Sequence, residues 1–130
     1  MTDDPPFGAV VFAKDLARVA RFYQELLSLS VGVAEPDLIV LESLGFQLVV
    51  HPLPKKVARS ITITTPAERR TNVPTKLVFY VPALAQARQQ AALLGGALDP
   101  QKSEWEARGF RACDGQDPEG NVIQLRQRVV

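Results

Sequence analysis

One five-part pattern runs through this chain twice: a strand-like run, an amphipathic helix, then three more strand-like runs. A repeated order of elements implies two copies of one supersecondary unit, each with an apolar face that needs cover. The first copy opens with GAVVFAKD, a buried-strand run ending in Asp15, a side chain suited to cap a helix. Leu16, Val19, Ala20, Tyr23, Leu26 and Leu27 then recur at helical spacing, with Arg18, Arg21, Gln24 and Glu25 between them. SVGVAE, DLIVLES and GFQLVVHPL follow as short strands, separated by Pro36-Asp37 and by Gly45.

The second copy starts at KLVFYVPA. Leu84, Ala87, Ala91 and Leu94 lie on a helix that Pro82 opens and Gly95-Gly96 stops, and ALDP, GFRACDG and DPEGNVIQLRQR supply three strands. Asp117 to Asn121 is turn chemistry, and the strand after it puts Ile123 and Leu125 on one face with Val122, Gln124 and Arg126 on the other. Superposition places Ala83 on Asp15 and Gly120 on Gly45. The offset grows from 68 to 75, so the second copy carries about seven extra residues in its middle. The fold class is α+β, two tandem βαβββ modules in one structural domain: residues 1–54, then a linker at 55–75, then residues 76–130. The linker is Pro-rich at its ends, and its SITIT centre has the β-branched alternation of an extra strand.

At 130 residues and 46% hydrophobic content the chain can bury a real core. A net charge of +1 gives no electrostatic case for nucleic acid or an anionic membrane, and no apolar run approaches bilayer-spanning length. The acidic, Pro-rich start MTDDPPFG is unlike a signal peptide, so a cytoplasmic protein is expected. Cys113, the single cysteine, excludes an internal disulfide and a multi-cysteine metal site, and reads as a small core residue. No GxGxxG, P-loop, GxSxG or HExxH is present. Glu104 and Glu106 flank Trp105 in a loop-like stretch and read as a solvated face, and Arg69-Arg70 as a solvated pair able to cap a pocket mouth.

The βαβββ pair, the opening FAKDLARVARFYQELL and the closing DPEGNVIQL together resemble the vicinal oxygen chelate superfamily of glyoxalase I, bleomycin resistance proteins, extradiol dioxygenases and methylmalonyl-CoA epimerase. The resemblance covers nearly the whole chain and marks the fold, not one activity. It implies modules that curl their sheets around a ligand cleft, with metal ligands on the first and last strand of each module in the metal-dependent members. The matching positions here hold Gly8, Val49, Lys76 and Gln124. Glycine and valine offer no donor, an ammonium repels a cation and an amide oxygen alone is weak, so no metal or other cofactor is expected.

Strand parity within that resemblance lines the cleft with Val10, Phe12, Gln47, Val49, His51, Lys76, Val78, Tyr80, Val122, Gln124 and Arg126. Phe12, Tyr80 and Trp105 are candidates to stack a ring, Gln47 and Gln124 to orient a ligand, and His51 to add an imidazole. Lys76 and Arg126 would hold an anion; if both point inward, two like charges stay unfavourable until it enters. The expected function is binding of a small amphipathic or anionic molecule without metal, in a homodimer that completes the cleft by pairing modules. The alternative is a divergent metal-dependent lyase, isomerase or dioxygenase of the same superfamily, and a third is an interaction module.

Overall fold

The computed structural model describes residues 4–129; residues 1–3 and 130, which the sequence reading includes in its two modules, lie outside the described residues. The chain divides into two compact units, one ending at Thr62 and one beginning at Ile63.

In the first unit the order is β1 (Phe7–Ala13), α1 (Leu16–Leu27), β2 (Ser30–Glu35), β3 (Leu38–Ser43), β4 (Phe46–Pro52) and a short α2 (Lys55–Ser60). Asp15 caps α1 as expected: its side chain accepts from the Arg18 amide at 3.2 Å. The sheet runs β1-β4-β3-β2, with β1 parallel to β4 and the other pairs antiparallel. Leu44 and Gly45 turn β3 into β4, and Gly45 takes φ +78, a left-handed value that glycine adopts without the steric cost of a side chain. Val11, Ala13, Leu41, Leu48 and Val50 are buried, as are Val19, Ala20, Phe22, Tyr23 and Leu26 of α1. Each large side chain so buried contributes about 1.5–3 kcal/mol.

In the second unit the order is β5 (Leu77–Tyr80), α3 (Leu84–Leu93), β6 (Ala97–Leu98), a 3-10 turn (Gln101–Ser103), β7 (Trp105–Ala107), β8 (Phe110–Gln116) and β9 (Val122–Arg128). The sheet runs β5-β9-β8-β6, and β7 also pairs with β8. β6 meets β8 at Gly115 and Gln116 while β7 meets it at Phe110 to Ala112, so the two form one interrupted edge strand. The interruption, residues 99–104, is where the extra length of the second copy goes. Ala83 precedes α3 without a capping side chain; instead Gln127 of β9 reaches over and accepts from the Leu84 amide at 2.8 Å.

Three expectations need correction. Residues 61–64 pair with no strand among the described residues; the segment before them is helical because Lys55, Lys56, Ala58 and Arg59 are good helix formers. Lys76 stands just before β5, not in it. Glu104, Trp105 and Glu106 are not a solvated loop: Trp105 and Glu106 are in β7, and the Glu104 side chain is only 5% exposed because Arg88 and Arg111 close on it.

The turn after β8 is built around Asp117, whose carboxylate accepts from the Glu119 and Asn121 amides and from the Asn121 side chain at 2.8, 3.1 and 2.8 Å. Residues 67–70 pass over it. Gln116 Nε2 donates to the Ala67 carbonyl at 2.6 Å, and the Arg70 amide donates to the Gly120 carbonyl at 2.9 Å. Asp117 and Glu119 are buried, and a Cβ on Gly120, at φ +86, would stand 2.0 Å from the Glu68 carbonyl oxygen. Glycine at 120 therefore serves both the turn and the close approach.

Candidate functional site

In the second unit, alternation sends Leu77, Phe79, Cys113, Ile123 and Leu125 to one face and Val78, Tyr80, Phe110, Ala112, Asp114, Gln124, Arg126 and Arg128 to the other. The register sets this second face in rows. Asp114, Gln124 and Val78 share one; Trp105, Ala112, Arg126 and Tyr80 share the next, across four strands. Lys76, Tyr80, Trp105, Gln124 and Arg126, all expected at a site, are thus brought to one surface.

A chain of polar contacts joins most of them. Lys76 Nζ donates to Asp114 Oδ2 at 2.8 Å, Gln124 Nε2 donates to Asp114 Oδ1 at 3.2 Å, and Arg126 Nε donates to Gln124 Oε1 at 2.8 Å. The carboxylate only accepts and the guanidinium only donates, so the orientation of the Gln124 amide is dictated from both ends. Gln124 is 7% exposed, which makes its amide a rigid connector. The Arg126 guanidinium then lies 4.1 Å from the centroid of the Phe110 ring, Arg128 lies 4.4 Å from that of Tyr80 and Arg108 5.0 Å from that of Phe110. None of these three arginines has an ion pair among the described residues.

The expected pair of free cations is therefore corrected at one member: Lys76 is neutralised by Asp114, and Arg126 alone keeps an uncompensated charge on this chain of contacts. Asp114 was missed because the sequence offers it as turn punctuation before Gly115. Its role follows from the cross-strand register that places it opposite Gln124.

The donor set does not fit the superfamily's metal. A side chain at position 8 would have its Cβ 2.8 Å from the Gln47 carbonyl oxygen and 2.9 Å from Gln47 Cγ, so that place is filled. Lys76 brings a positive charge, and the Gln124 oxygen is already taken by Arg126. No group of three or more His, Cys, Asp and Glu suited to a metal ion occurs among the described residues.

The first unit gathers the other expected residues. Gly8, Val10 and Phe12 of β1 stand beside Gln47, Val49 and His51 of β4, on the face away from Leu48 and Val50. The Phe12 and His51 rings meet edge to face at 5.7 Å. His51 Nδ1 lies 2.8 Å from the Pro52 carbonyl, and since a carbonyl only accepts, the neutral ring carries its proton there and leaves Nε2 as the acceptor. Phe12 is 52% exposed, so this is an open apolar face.

Other charged groups are structural. Glu104 is gripped by Arg88 and by Arg111, the latter at 2.6 Å; burial alone would raise its pKa, but these hydrogen bonds win and hold it below the usual carboxylate range. Arg69 is not solvated as expected: its bidentate bond to Asp99, at 3.1 and 2.6 Å, outweighs burial and raises its pKa, while its Nε reaches Gln116. Cys113 is fully buried, and desolvation pushes its thiol up, as befits a core residue.

A family model described as a glyoxalase-like domain matches residues 8–126. No curated protein matches significantly. Among solved structures, the chain is similar to a glyoxalase/bleomycin resistance protein/dioxygenase family enzyme from Burkholderia phytofirmans PsJN, with TM-score 0.69 and 15% identity over 94% of this chain and 97% of that one. It is also similar to the fosfomycin resistance protein FosX from Mesorhizobium loti (0.64, 14%, 100% and 96%). A glyoxalase/bleomycin resistance protein from Albidiferax ferrireducens T118 gives 0.63 and 20% over 94% and 96%. At these identities the likeness shows the fold alone.

Proposed function

Because the chain belongs to the glyoxalase-like domain family, we propose that it binds a small oxyanionic molecule on the sheet face that carries Gln124 and Arg126, without the metal that resembling enzymes use. The observation that carries this reading is the contact chain Lys76–Asp114–Gln124–Arg126. It spends the two metal-equivalent side chains of this unit on orienting one guanidinium. Arg126 uses Nε for Gln124 and has its guanidinium over the Phe110 ring, which leaves the N–H groups of its two Nη atoms as a fork for a carboxylate, phosphate or phosphonate. Lys76 and Asp114 act through Gln124 as positioning residues.

The protein is proposed to be cytoplasmic and homodimeric. No helix among the described residues is long and apolar enough to cross a membrane. β2 ends its sheet and is exposed along most of its length, an edge open to strand pairing with a second copy. Thermal-shift screening of carboxylates, phosphates and phosphonates with the parent and with Arg126→Gln tests the binding reading. Hits that vanish in the variant support it. A stoichiometric metal retained through dialysis, with turnover that depends on it, would instead establish the metal-dependent lyase, isomerase or dioxygenase.

A further inference from the structure

We infer that the oxyanion bound at Arg126 belongs to an aromatic acid whose ring lies against Trp105; this rests on the oxyanion reading above and adds the class of molecule. The row across β7, β8, β9 and β5 reads Trp105, Ala112, Arg126, Tyr80. Between the indole and the guanidinium stands only a methyl group, Ala112, and it is fully buried, so no gap opens between the two larger side chains and they border one surface. Trp105 and Tyr80 are 40% and 45% exposed, although large aromatic side chains on a sheet ordinarily gain by burial. Phe110 differs: it is 4% exposed beneath Arg126 and Arg108 and is spent on holding the cations.

Charge and shape agree. Arg126 and Arg128 bring two positive charges to β9 with no ion-paired carboxylate among the described residues, and each guanidinium lies over an aromatic ring. An acid group on the Arg126 fork directs the remainder of a ligand along the row, above the covered Ala112, towards the exposed indole. An aliphatic acid satisfies the fork and leaves the indole uncovered. A neutral aromatic does the reverse.

Trp105 is the chain's only tryptophan, so its emission reports directly on this contact. Benzoate, cyclohexanecarboxylate and benzamide are titrated into the full chain with excitation selective for the indole, and melting temperature is followed in parallel. Benzoate is expected to shift the emission and to bind at least tenfold more tightly than either comparison compound. Arg126→Gln should weaken benzoate at least tenfold with its fold intact by circular dichroism. Trp105→Leu, read by melting temperature, should bring benzoate and cyclohexanecarboxylate to equal affinity. If the two acids bind the parent alike and both need Arg126, the oxyanion site stands and the aromatic class is wrong. If neither acid binds, or Arg126→Gln binds as the parent does, the oxyanion reading itself falls. Steeply salt-dependent binding of single-stranded oligouridylate without any benzoate response would assign the arginines to nucleic acid and overturn both.

Discussion

Replacing Gln124 by Leu removes the one side chain that both holds Arg126 and is held by Asp114. Leucine keeps nearly the same volume, so the change is in polarity. Two hydrogen bonds go, at 3.2 Å to Asp114 and 2.8 Å from Arg126, each with a charged partner. Such bonds contribute about 1.5–3 kcal/mol each when dry. The first is long, and Asp114 keeps Lys76 with a quarter of its side chain exposed, so water replaces part of what it loses. Apolar burial at a position only 7% exposed returns about 1 kcal/mol. The balance is a loss of about 1–2 kcal/mol, to be read from urea unfolding with an unchanged m value. Binding carries the sharper signature. Without Gln124 the Arg126 fork is no longer aimed, and affinity for an oxyanion that the parent binds should fall about tenfold, which is about 1.4 kcal/mol. Unchanged or increased stability together with unchanged affinity would refute the connector role of Gln124.

Gly120→Ala should cost about 3 kcal/mol or more, from the positive φ and from forcing residues 67–70 off the turn; a midpoint shift equivalent to less than 1 kcal/mol would show that the crossing segment gives way freely. Lys76→Met should lower stability by about 0.5 kcal/mol, because the ammonium is partnered by Asp114 and the pair is partly exposed; a rise would restore the picture of a repelled, unpaired cation. Glu104 sits below the usual carboxylate range when folded, so its contribution is complete above the unfolded value of about 4.3 and is lost as pH falls through the lower folded value. Glu104→Gln should therefore flatten the acid limb of the stability profile, and an unaltered limb would exclude this group. Multi-angle light scattering should give a dimer at micromolar concentration, and a monomer mass would remove the proposed assembly.

The parts legible in the sequence were those governed by local or periodic rules. Asp15 caps its helix because the cap lies three residues from its partner amide, and the facing of Phe12, Val49, Tyr80 and Gln124 follows from period two. The extra length of the second copy was countable from Ala83 and Gly120, but that it breaks one edge strand into β6 and β7 was not, since both halves are defined only by their pairing with β8. Asp114 escaped for the same reason. Its partnership with Gln124 depends on how many residues the buried turn from Asp117 to Asn121 consumes, which sets register and is not written in either strand. Glu104 looked like a surface acid because its two arginines come from α3 and β8, distant in sequence.

Arg126 is proposed to hold an oxyanion with no metal between them. The most direct measurement is the melting temperature of the parent and of Arg126→Gln, titrated side by side with a panel of carboxylates, phosphates and phosphonates in EDTA. A saturable rise is expected for the parent with at least one class, undiminished by the chelator and absent in the variant. A rise equal in both proteins, or one that appears only when zinc, nickel, iron or manganese replaces EDTA, contradicts it.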